Sequence, residues 1–88
     1  MDFRWNDWNL EHATRHGVAP EEAEHVVTAA RPPFPESGGD DKFRVWGQTS
    51  AGRFIQVVYV EDPEGSMYII HARPLTDQEK RRLRRRRR

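Results

Sequence analysis

Several residues in this chain have the types and spacing to hold a phosphate or to move a proton. His71 and Arg73 stand two apart, so they share one face of any extended strand. An imidazole can act as acid or base near neutral pH. A guanidinium beside it can grip an anionic oxygen pair through its planar fork. Lys42, Arg44 and Trp46 alternate in the same way and put two cations and an indole on one side of a second strand. His12 and His16 are one helical turn apart, a spacing a metal tolerates. No third ligand is fixed beside them, so structural roles are expected: packing or capping at the helix turn for His16, and no metal or other cofactor.

A separate feature is the basic run at residues 80–88. Lys80, Arg81, Arg82 and Arg84 to Arg88 supply eight of the fifteen bases, with no acid among them. The other seven bases face all fourteen acids, so residues 1–79 carry −7 and the tail +8. An acidic body does not coat nucleic acid over its whole surface. A basic tail permits local phosphate binding through Lys80, Arg81 and Arg84, or docking on an acidic partner. Like charges one turn apart disfavour a long isolated helix, so the last residues are expected to fray unless bound.

The elements that must position these groups are readable from punctuation and periodicity. Eighty-eight residues make one domain, 1–88, with one modest core. Phe3-Arg4-Trp5 alternates and fits a short first strand. Asn6 or Asp7 suits a helix cap, residues 7–16 read as a helix, and Gly17 is a natural stop. Pro20 with Glu21 and Glu22 opens a second helix, over 20–30, with an apolar stripe of Ala23, Val26, Val27 and Ala30. Residues 32–41 form a Pro/Gly/acid loop. Strands are predicted over 42–48, 53–60 and 67–73, separated by Gly52 and by the Asp62-Pro63-Glu64-Gly65 turn, which favours an antiparallel meander. Thr76 and Glu79 form a capping box for a C-terminal helix from residue 77. The expected class is α+β, in the order β-α-α-β-β-β-α.

Alternation then assigns faces. Met67, Ile69, His71 and Arg73 are expected on one face of the last strand, and Tyr68, Ile70 and Ala72 on the other. Lys42, Arg44, His71 and Arg73 are expected to meet on one partly polar face, with the two N-terminal helices packed on the opposite one. An open face of that composition suits RNA phosphates; it also suits the ordinary solvated side of an antiparallel sheet. Trp5 and Trp8 are expected in core or edge packing. Trp46 stands between burial and stacking on a ligand.

Taken in order, Phe3-Arg4-Trp5-Asn6, Arg15-His16-Gly17-Val18, Pro20-Glu21-Glu22-Ala23, residues 41–47, Gly52-Arg53 with Val57-Val58-Tyr59, Ile69-Ile70-His71-Ala72-Arg73 and Glu79-Lys80-Arg81 cover most of the chain. In this series the sequence resembles the BrnT-like branch of the RelE toxin superfamily. The resemblance implies a small RelE-like domain with an antiparallel sheet, two N-terminal helices and a basic C-terminal helix. It implies a prokaryotic, cytoplasmic toxin-type ribonuclease of a type II toxin-antitoxin system. RNA, free or ribosome-bound, would be the substrate, and a DNA-binding antitoxin the partner. The alternative is a non-catalytic RNA- or protein-binding relative. By the resemblance, Arg73, His71, Lys42 and Arg53 form the catalytic cluster, with His12 beside it; the strand faces add Arg44 and Trp46, and the basic run adds Lys80, Arg81 and Arg84, as RNA contacts. The family's usual first-helix lysine and asparagine positions fall on Trp8 and His12. There is no cysteine, hence no disulfide frame, and neither a leader peptide nor a membrane span is expected.

Overall fold

The computed structural model describes residues 1–86; Arg87 and Arg88 of the basic run lie outside the described residues. Three helices and a four-stranded antiparallel sheet form an α+β domain. The elements are α1 (Asp7–Thr14), α2 (Pro20–Thr28), β1 (Glu36–Ser37), β2 (Lys42–Gln48), β3 (Phe54–Glu61), β4 (Met67–Pro74) and α3 (Asp77–Arg86). The strands lie side by side in sequence order. Among the described residues, no helix is long and apolar enough to cross a membrane.

Local chemistry sets the boundaries. Asn6 caps α1 through a reciprocal pair with Asn9, each side chain accepting from the other's backbone N–H. Gly17 ends the first helical segment at φ +82°, a conformation without penalty only for glycine. Pro20 opens α2, where the Glu22 carboxylate reaches back to the Ala19 N–H. The turn between β3 and β4 closes through Asp62, whose carbonyl accepts from Gly65 N–H and whose carboxylate accepts from Ser66 N–H. Thr76 and Glu79 cap α3 reciprocally.

Two expectations are corrected. Phe3 forms only an isolated parallel bridge to Met67, and residues 2–4 thereby cover the outer edge of β4. The loop at 32–41 contains β1, whose two residues pair with Phe43 and Arg44 along part of the opposite edge. Two residues leave no periodicity to read; that strand exists because β2 offers it partners.

A bulge changes the face assignment of β4. Val58 pairs with His71, but Tyr59 pairs with Ile69, so Ile70 is the extra residue. Strict alternation from Arg73 through Met67 is therefore broken. His71 and Arg73 stay on one face, while Ile69 and Met67 cross to the face of Ala72. Hydrophobic burial sets this register, since Ile69 and Ala72 are both fully buried. Asn9, itself fully buried, secures the bulge by donating from Nδ2 to the carbonyls of Ile69 (2.9 Å) and Arg4 (3.0 Å).

α2 packs on the face that carries Val45, Gly47, Ile55 and Val57. Gly47 permits the close approach: a Cβ there would sit 3.0 Å from Val26 Cγ1. Val26 is buried and stiff at χ1, so it cannot swing away. Gly47→Val is therefore expected to cost about 1–3 kcal/mol in urea denaturation. Pairing it with Val26→Ala should recover part of that loss, a coupling of about 1 kcal/mol in a double-mutant cycle. Strictly additive effects would contradict the packing described.

Candidate active site

The other sheet face carries the polar groups, and the register arranges them in rows. Trp46, Gln56 and Arg73 form one row, Arg44, Val58 and His71 the next, and Lys42, Val60 and Tyr68 the third. This face is not open around its first row. Leu83 of α3 is buried, and the guanidinium carbons of Arg44, Arg82 and Arg86 lie 4.9, 5.2 and 5.6 Å from the Trp46 ring centroid. Trp46 is only 2 % exposed, and its Nε1 donates to Gln56 Oε1 at 2.9 Å. The indole is a packing centre rather than an open stacking surface.

Arg73 is held from several sides. Its two terminal nitrogens donate to the Glu79 carboxylate at 2.7 and 2.8 Å, one also to Gln56 Oε1 at 3.3 Å and the other to the Pro74 carbonyl at 3.1 Å. The Arg73 fork holds the Glu79 carboxyl down to about pKa 2, against desolvation, with help from Thr76 N–H. The same pair raises the guanidinium further. A second acidic anchor, Glu36, accepts from Arg44 at 2.7 Å and Arg86 at 3.1 Å. Arg44 chiefly holds its carboxyl below the usual range. Arg82 and Arg86 are thus folded against the sheet; of the last residues, where fraying was expected, Arg86 is held by Glu36, and Arg87 and Arg88 lie outside the described residues. Arg81, Arg84 and Arg85 point to solvent, and Lys80 stands 3.7 Å from Asp77.

His71 meets α1. Its ring lies edge-on to that of His16, with centroids 5.6 Å apart. Burial pushes the His71 imidazole below its ordinary pKa, and the charges of His16, Arg73 and Arg15 push it further in the same direction. His71 is therefore a neutral imidazole near pH 7, able to accept a proton. Arg15 is exposed and has no carboxylate within ion-pair distance among the described residues.

The expected quartet is brought together only in part. Arg53 is tied to the turn that follows His16, donating to the Gly17 carbonyl at 3.1 Å, with Glu22 3.9 Å away. Lys42 lies four steps along β2 from the Arg73 row and two strands across, which puts it roughly 15 Å from Arg73. His12 stacks on Trp8 with centroids 3.9 Å apart, and its Nδ1 bonds the Trp8 carbonyl at 2.7 Å. His16 and Arg15 complete the His71 cluster instead. Sequence spacing holds one clue to this: Trp8, His12 and His16 recur every four residues and so form one helical stripe. What it does not disclose is that α1 runs along β4.

A groove of about 700 Å³ lies elsewhere, between Val26, residues 29–34, the Trp46–Gln48 part of β2 and α3. It contains neither His16 nor His71. No group of three or more His, Asp or Glu residues that could hold a metal ion occurs among the described residues. No family model, curated protein or solved structure matches this chain.

The Arg73–Glu79 pair gives a pH dependence of defined sign. Glu79 has its pKa depressed in the folded state, so its contribution is complete above about pH 4.5 and is lost as pH falls towards 2. Glu79→Gln should cost about 1–2 kcal/mol at pH 7 and flatten stability between pH 4.5 and 2.5 in denaturant titrations. A variant with wild-type stability and wild-type acid dependence would contradict this role.

Proposed function

We propose that this chain is a toxin-type ribonuclease of the BrnT-like, RelE-superfamily kind, cleaving RNA without metal. The observation that carries the reading is the edge-on His16–His71 pair with Arg15 and Arg73 beside it. The ordered resemblance along most of the chain supplies the reaction class, and the same resemblance supplies a DNA-binding antitoxin as partner and RNA on or off the ribosome as substrate.

Transesterification of RNA needs a base, an acid and cations. In this reading His71, neutral and partly buried, takes the proton from a ribose 2′-OH. The 2′ oxygen bonds to the adjacent phosphorus as the bond to the 5′ oxygen breaks. His16 delivers a proton to that leaving oxygen. The products are a 2′,3′-cyclic phosphate and a 5′-hydroxyl. Arg15 stands by for the developing charge on the phosphorane oxygens, and Arg73 joins it to the extent that Glu79 releases its fork. Lys42 and Arg53 take the outlying phosphates of a longer strand, and Arg81 and Arg84 extend the positive surface from α3.

A second reading is a non-catalytic module that binds RNA or a protein. The observation favouring it is that Glu79 already occupies both terminal nitrogens of Arg73.

Cleavage of a short labelled RNA by purified protein separates the two. His71→Ala should slow cleavage by about a hundredfold or more and alter its profile between about pH 5 and 8, and His16→Ala should do likewise, while both variants still bind RNA. A folded wild type that binds RNA but leaves it intact, with and without ribosomes, would remove the enzyme and leave the module.

A further inference from the structure

One exposed cluster is not used by the chemistry above. Trp8 is 50 % exposed, the most exposed aromatic residue of the chain. Edge or core packing was expected for it, and Trp5 follows that expectation by burying part of its ring and donating to Glu24 at 2.6 Å. Trp8 instead lies nearly parallel to two other rings. His12 stacks on it at 3.9 Å with 15° between planes, and Tyr68 follows at 6.3 Å with 20°. The Arg4 guanidinium sits 4.1 Å from the centroid of the Tyr68 ring.

The three groups around Trp8 are held by polar contacts. The Tyr68 hydroxyl donates to Asn6 Oδ1 at 2.9 Å, the same oxygen that caps α1. His12 is fixed by its bond to the Trp8 carbonyl, and Arg4 by Asp62 at 3.0 Å. The rings therefore lose little freedom on meeting a ligand, which is what a stacking surface requires. The arrangement also has a direction. Trp8 and His12 lie one turn apart on α1, His16 stands in the turn just after that helix, and Tyr68 and His71 lie on one face of β4 beside them. The aromatic cluster and the imidazole pair are thus two ends of one strip about 10 Å long, the three residues from Tyr68 to His71 at the strand rise.

We propose that Trp8, His12, Tyr68 and Arg4 form a base-stacking subsite for single-stranded RNA, one that seats a nucleobase next to the phosphate handled by His16 and His71. The proposal rests on the ribonucleolytic reading for its substrate class. Flat, polarisable rings with a guanidinium at one end suit any nucleobase through its π face. They require an unpaired base, because a stacked and paired base has no free face to offer. Asp62 neutralises Arg4, and Asp7 and Glu11 flank Trp8 on the helix. The subsite therefore holds bases by stacking, and Arg15 at the other end of the strip meets the phosphate.

The test uses a 2′-O-methyl RNA hexamer, which has no free 2′-OH and cannot be cleaved by this chemistry. Binding to the full chain is followed by tryptophan fluorescence and by anisotropy of a labelled hexamer, with circular dichroism confirming the fold of each variant. Wild type should bind the single strand more tightly than its duplex. Trp8→Ala should weaken the single-strand complex about ten- to hundredfold, and Trp8→Phe should restore part of it. The slope of log K against log salt should stay unchanged, because no phosphate contact is lost. Trp8→Ala binding as wild type does would overturn the subsite while leaving cleavage to be judged separately. A hexamer that fails to bind would overturn it too, as would Trp8-dependent self-association, which would make the patch a protein interface. Trp8-dependent binding by a protein that cleaves nothing would uphold the subsite and sink the nuclease.

Discussion

A chain of polar contacts running from the centre of the sheet to the first turn of α3 determines how this domain closes. Trp46 donates to Gln56, Gln56 also accepts from Arg73, and Arg73 grips Glu79, which caps α3 together with Thr76. Gln56 and Trp46 are almost fully buried, and a buried polar group left unpaired costs about 1–3 kcal/mol, so each link depends on the next. The relay fixes where α3 starts. Leu83 then reaches the sheet, and Arg82 and Arg86 lie over the Trp46 ring. A segment with a run of like charges becomes an ordered helix because the docked face exchanges repulsion for cation–π contacts and the Glu36 bridge.

That docking divides the polar face. The half under α3 is occupied by structure and commits Arg73, Arg44 and Trp46 to it. The half along β4 remains accessible and is bordered by α1. Asn9 joins the two elements there, since its amide bonds the bulged strand while its carbonyl oxygen caps the helix. His16 meets His71 as a consequence of that one buried asparagine, and the Trp8 cluster sits at the other end of the same contact.

Much of the architecture was legible from the chain, for identifiable reasons. Asn6, Gly17, Pro20, Gly65 and the Thr76/Glu79 pair each act through local geometry, so they mark boundaries wherever they occur. The cross-strand meeting of Lys42, Arg44, His71 and Arg73 on one face followed from period-two alternation. What alternation could not convey was the bulge at Ile70, which sends Ile69 inward, because a bulge is set by which residues the core accepts. The burial of Trp46 was equally hidden, since it depends on a helix that arrives thirty residues later. For the site, His71 could be picked out by its residue type and by its place two residues before Arg73. His16 does pack in the turn before Gly17, as its place suggested, but nothing in the sequence states that this turn borders β4 and meets His71. Asn9 carries no motif at all and becomes conspicuous only as a fully buried amide.

The central claim is that the turn after α1 and strand β4 create an interacting imidazole pair in which His71 is kept neutral. Titration of the histidine ring protons by NMR tests it directly. The account predicts that His71 titrates below the ordinary histidine value of about 6.5, and that its midpoint rises when His16→Ala or Arg15→Ala removes a neighbouring charge. A His71 that titrates at or above 6.5, indifferent to both substitutions, would contradict the pair.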